Sequence, residues 1–147
     1  MSELRLHTEA CGELLLLPHI PCLLIRWHGF ANSENLRRLL DKGLALYQAH
    51  APHYPCLGWV ADTRRFGAML PVDQQWLLSS WNPRAYAAGI RHLLFLASEN
   101  IFGQIALQQY MHATNTDATG LRAMYAPSLE GAGQQVQAAR WQLADRV

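Results

Sequence analysis

Gly58-Trp-Val-Ala-Asp62-Thr-Arg-Arg-Phe-Gly-Ala-Met-Leu-Pro71-Val-Asp-Gln-Gln-Trp76 decides how this chain of 147 residues is read. Cys56–Ala61 is a short apolar run that ends at Asp62, which is the pattern of a buried strand. The residues after Asp62 form a polar exit turn. Pro71 then fits the first position of a helix, where its missing N–H costs nothing, and Asp73 sits in the first turn, where the helix dipole favours an acid. A strand that leads into a helix is half of a βαβ unit, so the same alternation is expected on either side.

Toward the N-terminus, Glu13–Leu17 and Cys22-Leu-Leu-Ile-Arg-Trp27 read as strands. Pro18-His-Ile-Pro21 between them forces a turn, because neither proline can donate to a ladder. So short a link joins an antiparallel pair. Leu4-Arg-Leu6 alternates weakly and reads as a short edge strand or as a lead-in. Asn32 or Ser33 caps the next helix. There Leu36, Leu39, Leu40, Gly43, Leu44 and Tyr47 form one apolar stripe, with Gly43 allowing close approach to a sheet. Arg37, Arg38 and Lys42 lie off the stripe and are expected in solvent. His50-Ala-Pro-His53-Tyr-Pro55 ends the helix.

Toward the C-terminus, the helix from Pro71 carries Val72, Trp76, Leu77 and Trp81. Asn82-Pro83 interrupts it, with Asn82 capping a new short helix that Gly89 closes. His92–Ala97 is apolar on both faces, as expected of a central, covered strand. Ile101, Ile105, Gln108 and His112 share one face of a further helix, with Ser98 as its N-cap. Thr114–Gly120 is a polar loop and Leu121–Ala126 a last strand. Ser128 caps a final helix whose apolar line is Leu129, Ala132, Val136, Ala139 and Leu143. The order β-β-α-β-α-β-α-β-α predicts one α/β domain over residues 1–147: a single-layer mixed β-sheet of about five strands covered by about four helices.

Composition narrows the function. Half the residues are apolar, 16% are charged, and the formal net charge is +1. No basic stripe marks a nucleic-acid footprint. Cys11, Cys22 and Cys56 cannot all pair and show no C-x-x-C spacing, so they read as reduced thiols. Met1-Ser-Glu-Leu-Arg5 has no apolar signal region, and the longest apolar runs are too short to span a bilayer. The expectation is a cytoplasmic protein with no membrane span and no cofactor.

The chemical candidates each carry two readings. Asp62 ends a strand, where open α/β sheets place their ligand crevice; the competing role is bonding its own exit turn. Asp73 is a site candidate or simply a first-turn acid. Arg64 and Arg65 could meet an anion or an acidic partner, or be merely solvated. His50, His53 and Cys56 have zinc-compatible chemistry, against a proline-broken path and no evident fourth ligand. No G-x-S-x-G elbow and no phosphate loop is present. Met69, Leu70, Trp76, Leu77, Leu78 and Trp81 make one helix apolar over more than one face. It is either sandwiched in the core or exposes a patch for a partner or apolar ligand.

Several motifs together resemble the STAS-like domains related to anti-sigma-factor antagonists, in particular small stand-alone bacterial proteins grouped with STAS and CRAL-TRIO-like folds. They are Trp27-His-Gly29, Trp59-Val-Ala-Asp62-Thr-Arg64, Pro71-Val-Asp73-Gln-Gln-Trp76, Trp81-Asn-Pro83 with Ala88-Gly89, Ser98-Glu-Asn100-Ile-Phe102-Gly103, and Leu129-Glu130 with Ala132 and Trp141. Such antagonists carry a phosphorylatable serine at the start of the helix after the third strand. Here that neighbourhood is Met69-Leu70-Pro71-Val72, with neither Ser nor Thr. The resemblance implies a non-enzymatic regulatory or protein-interaction module without the usual phospho-switch. It would bind a protein partner or itself through the helix 71–81 and the loop 63–70, which hold Met69, Leu70, Asp73, Trp76 and Trp81. The alternative is a binder of a small apolar or amphipathic ligand at the sheet's C-terminal edge, beside Trp76 or Trp81, with Asp62 or Arg64 orienting the ligand's polar end.

Overall fold

Leucine fills every position from Leu14 to Leu17, and a run apolar on both faces suits a strand covered on both sides. In the computed structural model, which describes residues 3–145 and side chains to residue 138, that run is β2 (Gly12–Leu17). It pairs antiparallel with β3 (Cys22–Trp27) from Gly12↔Trp27 to Leu17↔Cys22. The remaining strands are β4 (Gly58–Asp62), β5 (His92–Leu96) and β6 (Arg122–Ala126). A further strand, β1 (Leu4–Glu9), pairs antiparallel with β2 through a bulge between Arg5 and His7. The sheet therefore has six strands rather than about five. β1 lies outermost and largely in solvent, so it never needed the apolar alternation that marks a buried strand.

The helices are α1 (Ser33–His50), α2 (Pro71–Trp76), α3 (Asn82–Ala87), α4 (Ile101–Thr116) and α5 (Leu129–Asp145). Asn32 caps α1, its side chain accepting from the Asn35 N–H at 2.8 Å. The expected break at Asn82-Pro83 does not occur. A π-helical turn, Leu77–Trp81, joins α2 to α3, and the Asn82 N–H reaches the Leu77 carbonyl five residues back. This wider turn accommodates Pro83, which has no N–H to give. Asn82 caps nothing. It is fully buried, donating to Thr114 Oγ1 at 3.1 Å and accepting from Tyr110 Oη at 2.6 Å. Gly89 closes α3 with φ 106°, as its place after the helix requires.

α4 also departs from expectation at its start. Asn100, not Ser98, is the cap, accepting from the Phe102 and Gly103 N–H groups. Ser98 is buried and donates to the Phe66 carbonyl at 2.7 Å. The buried stripe of α4 runs through Gly103, Leu107, Tyr110, Met111 and Thr114, so the face carrying Ile101 and Ile105 points outward. Ser128 Oγ caps α5 by accepting from the Gly131 N–H. Ala132 and Val136 are buried, whereas the side chains of Ala139, Trp141 and Leu143 lie outside the described residues.

Spatial strand order equals chain order, β1-β2-β3-β4-β5-β6, with parallel pairing from β3 onward. Right-handed crossovers that each step one strand in the same direction put their helices on one face. The core divides accordingly. Leu14, Leu23, Ile25, Trp59, Ala61 and Phe95 meet side chains of α1, the α2–α3 body and α4. Leu15, Leu17, Leu24, Val60, Leu94 and Leu96 meet Ala132 and Val136 of α5. Gly43 behaves as its place in the stripe predicted: a Cβ there would lie 2.9 Å from the Trp59 ring.

Candidate functional site

Asp62 alternates with Ala61 on β4, so its carboxylate points to the α5 side of the sheet, away from α2. Its neighbours follow from the register Glu13↔Arg26 and Arg26↔Asp62. Arg5 approaches Glu13 at 3.4 Å, and Arg26 spans Glu13 and Asp62 at 3.0 Å each. Arg64 folds back onto Asp62 with Nε at 2.9 Å and Nη2 at 2.8 Å. The result is a ladder of alternating charge across β1 to β4. Burial raises the Asp62 carboxyl, but the hydrogen bonds from Arg64 and Arg26 overcome it, and the net result lies below the ordinary carboxylate range. A carboxylate held ionised between two guanidiniums is a poor proton acceptor, and the Arg64 guanidinium facing it is occupied. The arrangement suits a structural tie more than a catalytic base.

Asp73 is likewise committed. It is 1% exposed and accepts from Ser33 Oγ at 2.8 Å and Arg37 Nε at 3.2 Å. Arg37, expected in solvent, is thus drawn in to tie the start of α2 to the start of α1. The same guanidinium lies 5.3 Å from the centre of the Trp76 ring, and Arg84 lies 5.7 Å from it. Trp76 is half-buried between two cations. Trp81 is buried, donates its Nε1–H to the Leu40 carbonyl at 3.1 Å, and packs 5.2 Å from Trp59. Beside Trp81 the interior leaves a cavity of about 40 Å³, far below the ~300 Å³ at which sites for organic ligands begin.

The sheet separates the residues that the ligand reading had brought together. Asp62 and Arg64 lie on the α5 side, while Met69, Trp76 and Trp81 pack with the helices of the opposite face. His50, His53 and Cys56 do not converge: among the described residues, no group of three or more His, Cys, Asp or Glu side chains is placed to hold a metal ion. Cys11 and Cys22 are buried and Cys56 half-buried, and all three are free thiols. Burial pushes the Cys22 thiol up to about 12, leaving it unreactive. Among the described residues, no helix is long and apolar enough to cross a membrane.

Two features extend beyond the residues legible in the sequence, although Leu70 was among the expected partner-binding residues. The first is a crown of exposed apolar side chains at the C-terminal edge of the parallel strands. Phe30 follows β3, Leu70 and Val72 follow β4, and Ile101, Phe102 and Ile105 follow β5, with exposures from 46% to 68%. The loops beneath them are joined. Phe66 stacks edge-on against Trp27 with centroids 5.6 Å apart, and its carbonyl takes the Ser98 hydroxyl. A Cβ on Gly103 would sit 2.1 Å from that carbonyl, so only glycine lets α4 approach so closely. The signal was present in α4, whose apolar residues exceed one helical face. The second is a depression of about 330 Å³ at the opposite edge, where β4 and β5 begin, lined in part by Trp59, Arg91, His92, Met124, Gln135 and Val136.

No protein-family model matches the chain, and neither a curated protein nor a solved structure matches it.

Proposed function

We propose that this chain is a non-enzymatic protein-interaction module, of the STAS-like kind its motifs resemble, and that it associates with a second copy through the apolar crown. The observation that carries the reading is the exposure of Phe30, Leu70, Val72, Ile101, Phe102 and Ile105 around one edge of the sheet. Exposed apolar side chains on two loops and the first turns of α2 and α4, all at one edge of the sheet, mark an interaction surface. A two-fold contact sets the same patch against itself, and apolar groups need no charge complement to do so. The charged side chains below the crown are spent within the chain: Asp62 on Arg26 and Arg64, Asp73 on Ser33 and Arg37. Free thiols and the missing serine at Met69–Val72 fit a cytoplasmic module that regulates by binding, without the phosphorylation switch.

Sedimentation velocity over a rising concentration series tests this. The expected result is a concentration-dependent dimer, abolished by combining Leu70→Asp with Phe102→Asp while circular dichroism stays unchanged. A wild-type chain that remains monomeric at ~100 μM, a weak-affinity limit of about 5.5 kcal/mol of association free energy, would rule out self-association. A dimer that survives the double substitution would move the interface elsewhere.

A further inference from the structure

The depression beneath β4 and β5 lies at the far edge of the sheet from the crown, so its use is independent of self-association. Its floor is apolar: Leu94 from β5 and Met124 from β6, with Val136 of α5 as one wall. At about 330 Å³ it falls within the range of small-molecule sites. α5 is brought down tightly here, since a Cβ on Gly58 would lie 2.6 Å from Val136.

Three polar features select what can fill it. Gln135 donates through Nε2 to the Tyr125 carbonyl at 3.4 Å, which assigns its other end, and its Oε1 is buried without a hydrogen-bond partner. Buried acceptors are nearly always paired, so an orphan beside a cavity calls for a donor from outside the chain. Arg91 is fixed at the mouth: its guanidinium lies 3.7 Å from the centre of the Tyr86 ring, and Nη1 donates to the Tyr86 and Ile90 carbonyls. Arg122 begins the neighbouring strand, its N–H bonded to the Arg91 carbonyl. Burial, and then the Arg122 charge, lower His92 below its ordinary value, so at neutral pH the imidazole adds no charge of its own. Among the described residues, those lining the depression include no Asp or Glu. The mouth is therefore cationic, the body apolar, and the inner wall holds one unmet acceptor.

We propose that this depression binds a small apolar carboxylic acid that also carries a hydrogen-bond donor. The carboxylate meets Arg91, the apolar body lies against Leu94 and Met124, and the donor satisfies Gln135 Oε1.

The test is an NMR titration with 4-hydroxyphenylacetate, and with its uncharged amide as control, following the Gly58 and Gly89 amides and the Met124 methyl. The expected result is saturable shifts at these three positions, with the acid binding at least ~10-fold more tightly than the amide. Arg91→Gln should abolish that preference, and Gln135→Leu should weaken acid and amide alike, each variant keeping the wild-type spectrum away from the depression. The site is overturned if the acid gives no saturable shift at millimolar concentration. It is also overturned if shifts appear elsewhere but not at these positions, or if acid and amide bind equally. Because the readout is local, it does not depend on whether the chain dimerises.

Discussion

Asp62 occupies a position that α/β sheets often give to function, yet its surroundings use it for cohesion. Without the Asp62 charge, Arg26 still holds Glu13 and Arg64 is half in solvent, so the loss is of charge-assisted hydrogen bonds, about 2 kcal/mol. Asp62→Asn should therefore lower the urea midpoint at neutral pH by about that equivalent. The pH dependence has a definite sign. The folded carboxyl lies below its ordinary value because Arg64 and Arg26 outweigh its burial. On acidification the unfolded chain takes up its proton first, so stability present at neutral pH is lost as pH falls through the ordinary carboxylate range toward the lowered value. Urea midpoints from pH 7 to pH 3 should fall more steeply in the wild type than in Asp62→Asn. A residual slope should remain, since hydrogen bonds from Arg38 and His7 also lower Glu9. Equal slopes in the two proteins would show that the ladder does not hold Asp62. Asp62 itself was visible in the sequence as a strand end. Its partners were not: Glu13 and Arg26 are lone charges inside leucine-rich strands, and only the pairing register sets them side by side.

At the scale of the element, the helical body from Pro71 to Ala87 is the part least legible in the sequence. Asn82-Pro83 has the local chemistry of a helix stop and a new cap. Tertiary bonding overrides that preference, because Asn82 gains two partners on α4 while the π turn absorbs the proline. The α1 stripe, by contrast, is legible to the residue, since a long amphipathic helix against a sheet leaves a periodic record. The Asn82–Tyr110–Thr114 link is testable as a unit. Asn82→Ala leaves the Tyr110 hydroxyl and Thr114 buried without their partner, at a cost of about 2–3 kcal/mol. Tyr110→Phe should cost about 1–2 kcal/mol, leaving Asn82 Oδ1 buried without its donor while keeping the ring against Phe95, 6.1 Å away. Because both changes break the same hydrogen bond, the double variant should lose less than the sum of the two. Guanidinium unfolding of all four proteins measures the difference. Strict additivity would mean that Asn82 and Tyr110 act separately and that the body is held to α4 by apolar contact alone.

Across the whole molecule, the consecutive strand order was the least predictable feature and has the largest consequence. Element types follow from local periodicity, but which strand lies beside which is set by contacts far apart in the chain. With every crossover stepping the same way, α1, the α2–α3 body and α4 share one face, and α5 alone serves the other. Among the described side chains, the two faces are unequally secured. α1 buries Leu36, Leu39, Leu40, Leu44 and Tyr47, whereas the described part of α5 buries only Ala132, Gly133 and Val136. At roughly 25 cal/mol per Å², these few small side chains contribute far less to the attachment of residues 129–138 than the α1 stripe of leucines does to its helix. Opening α5 exposes only its own face, while opening α1 breaches the core shared by three helical bodies. Native-state hydrogen exchange should therefore find the amides of residues 132–138 opening at a free energy clearly below that of residues 39–47, which should exchange only through global unfolding. Val136→Ala should lower the opening free energy of the first group by about 1 kcal/mol and leave the pattern in α1 unaltered apart from any global change. If both helices exchanged at the same free energy, the two faces would form one cooperative unit, and α5 would be held by more than the side chains that meet the sheet at Leu15, Leu24, Val60 and Leu94.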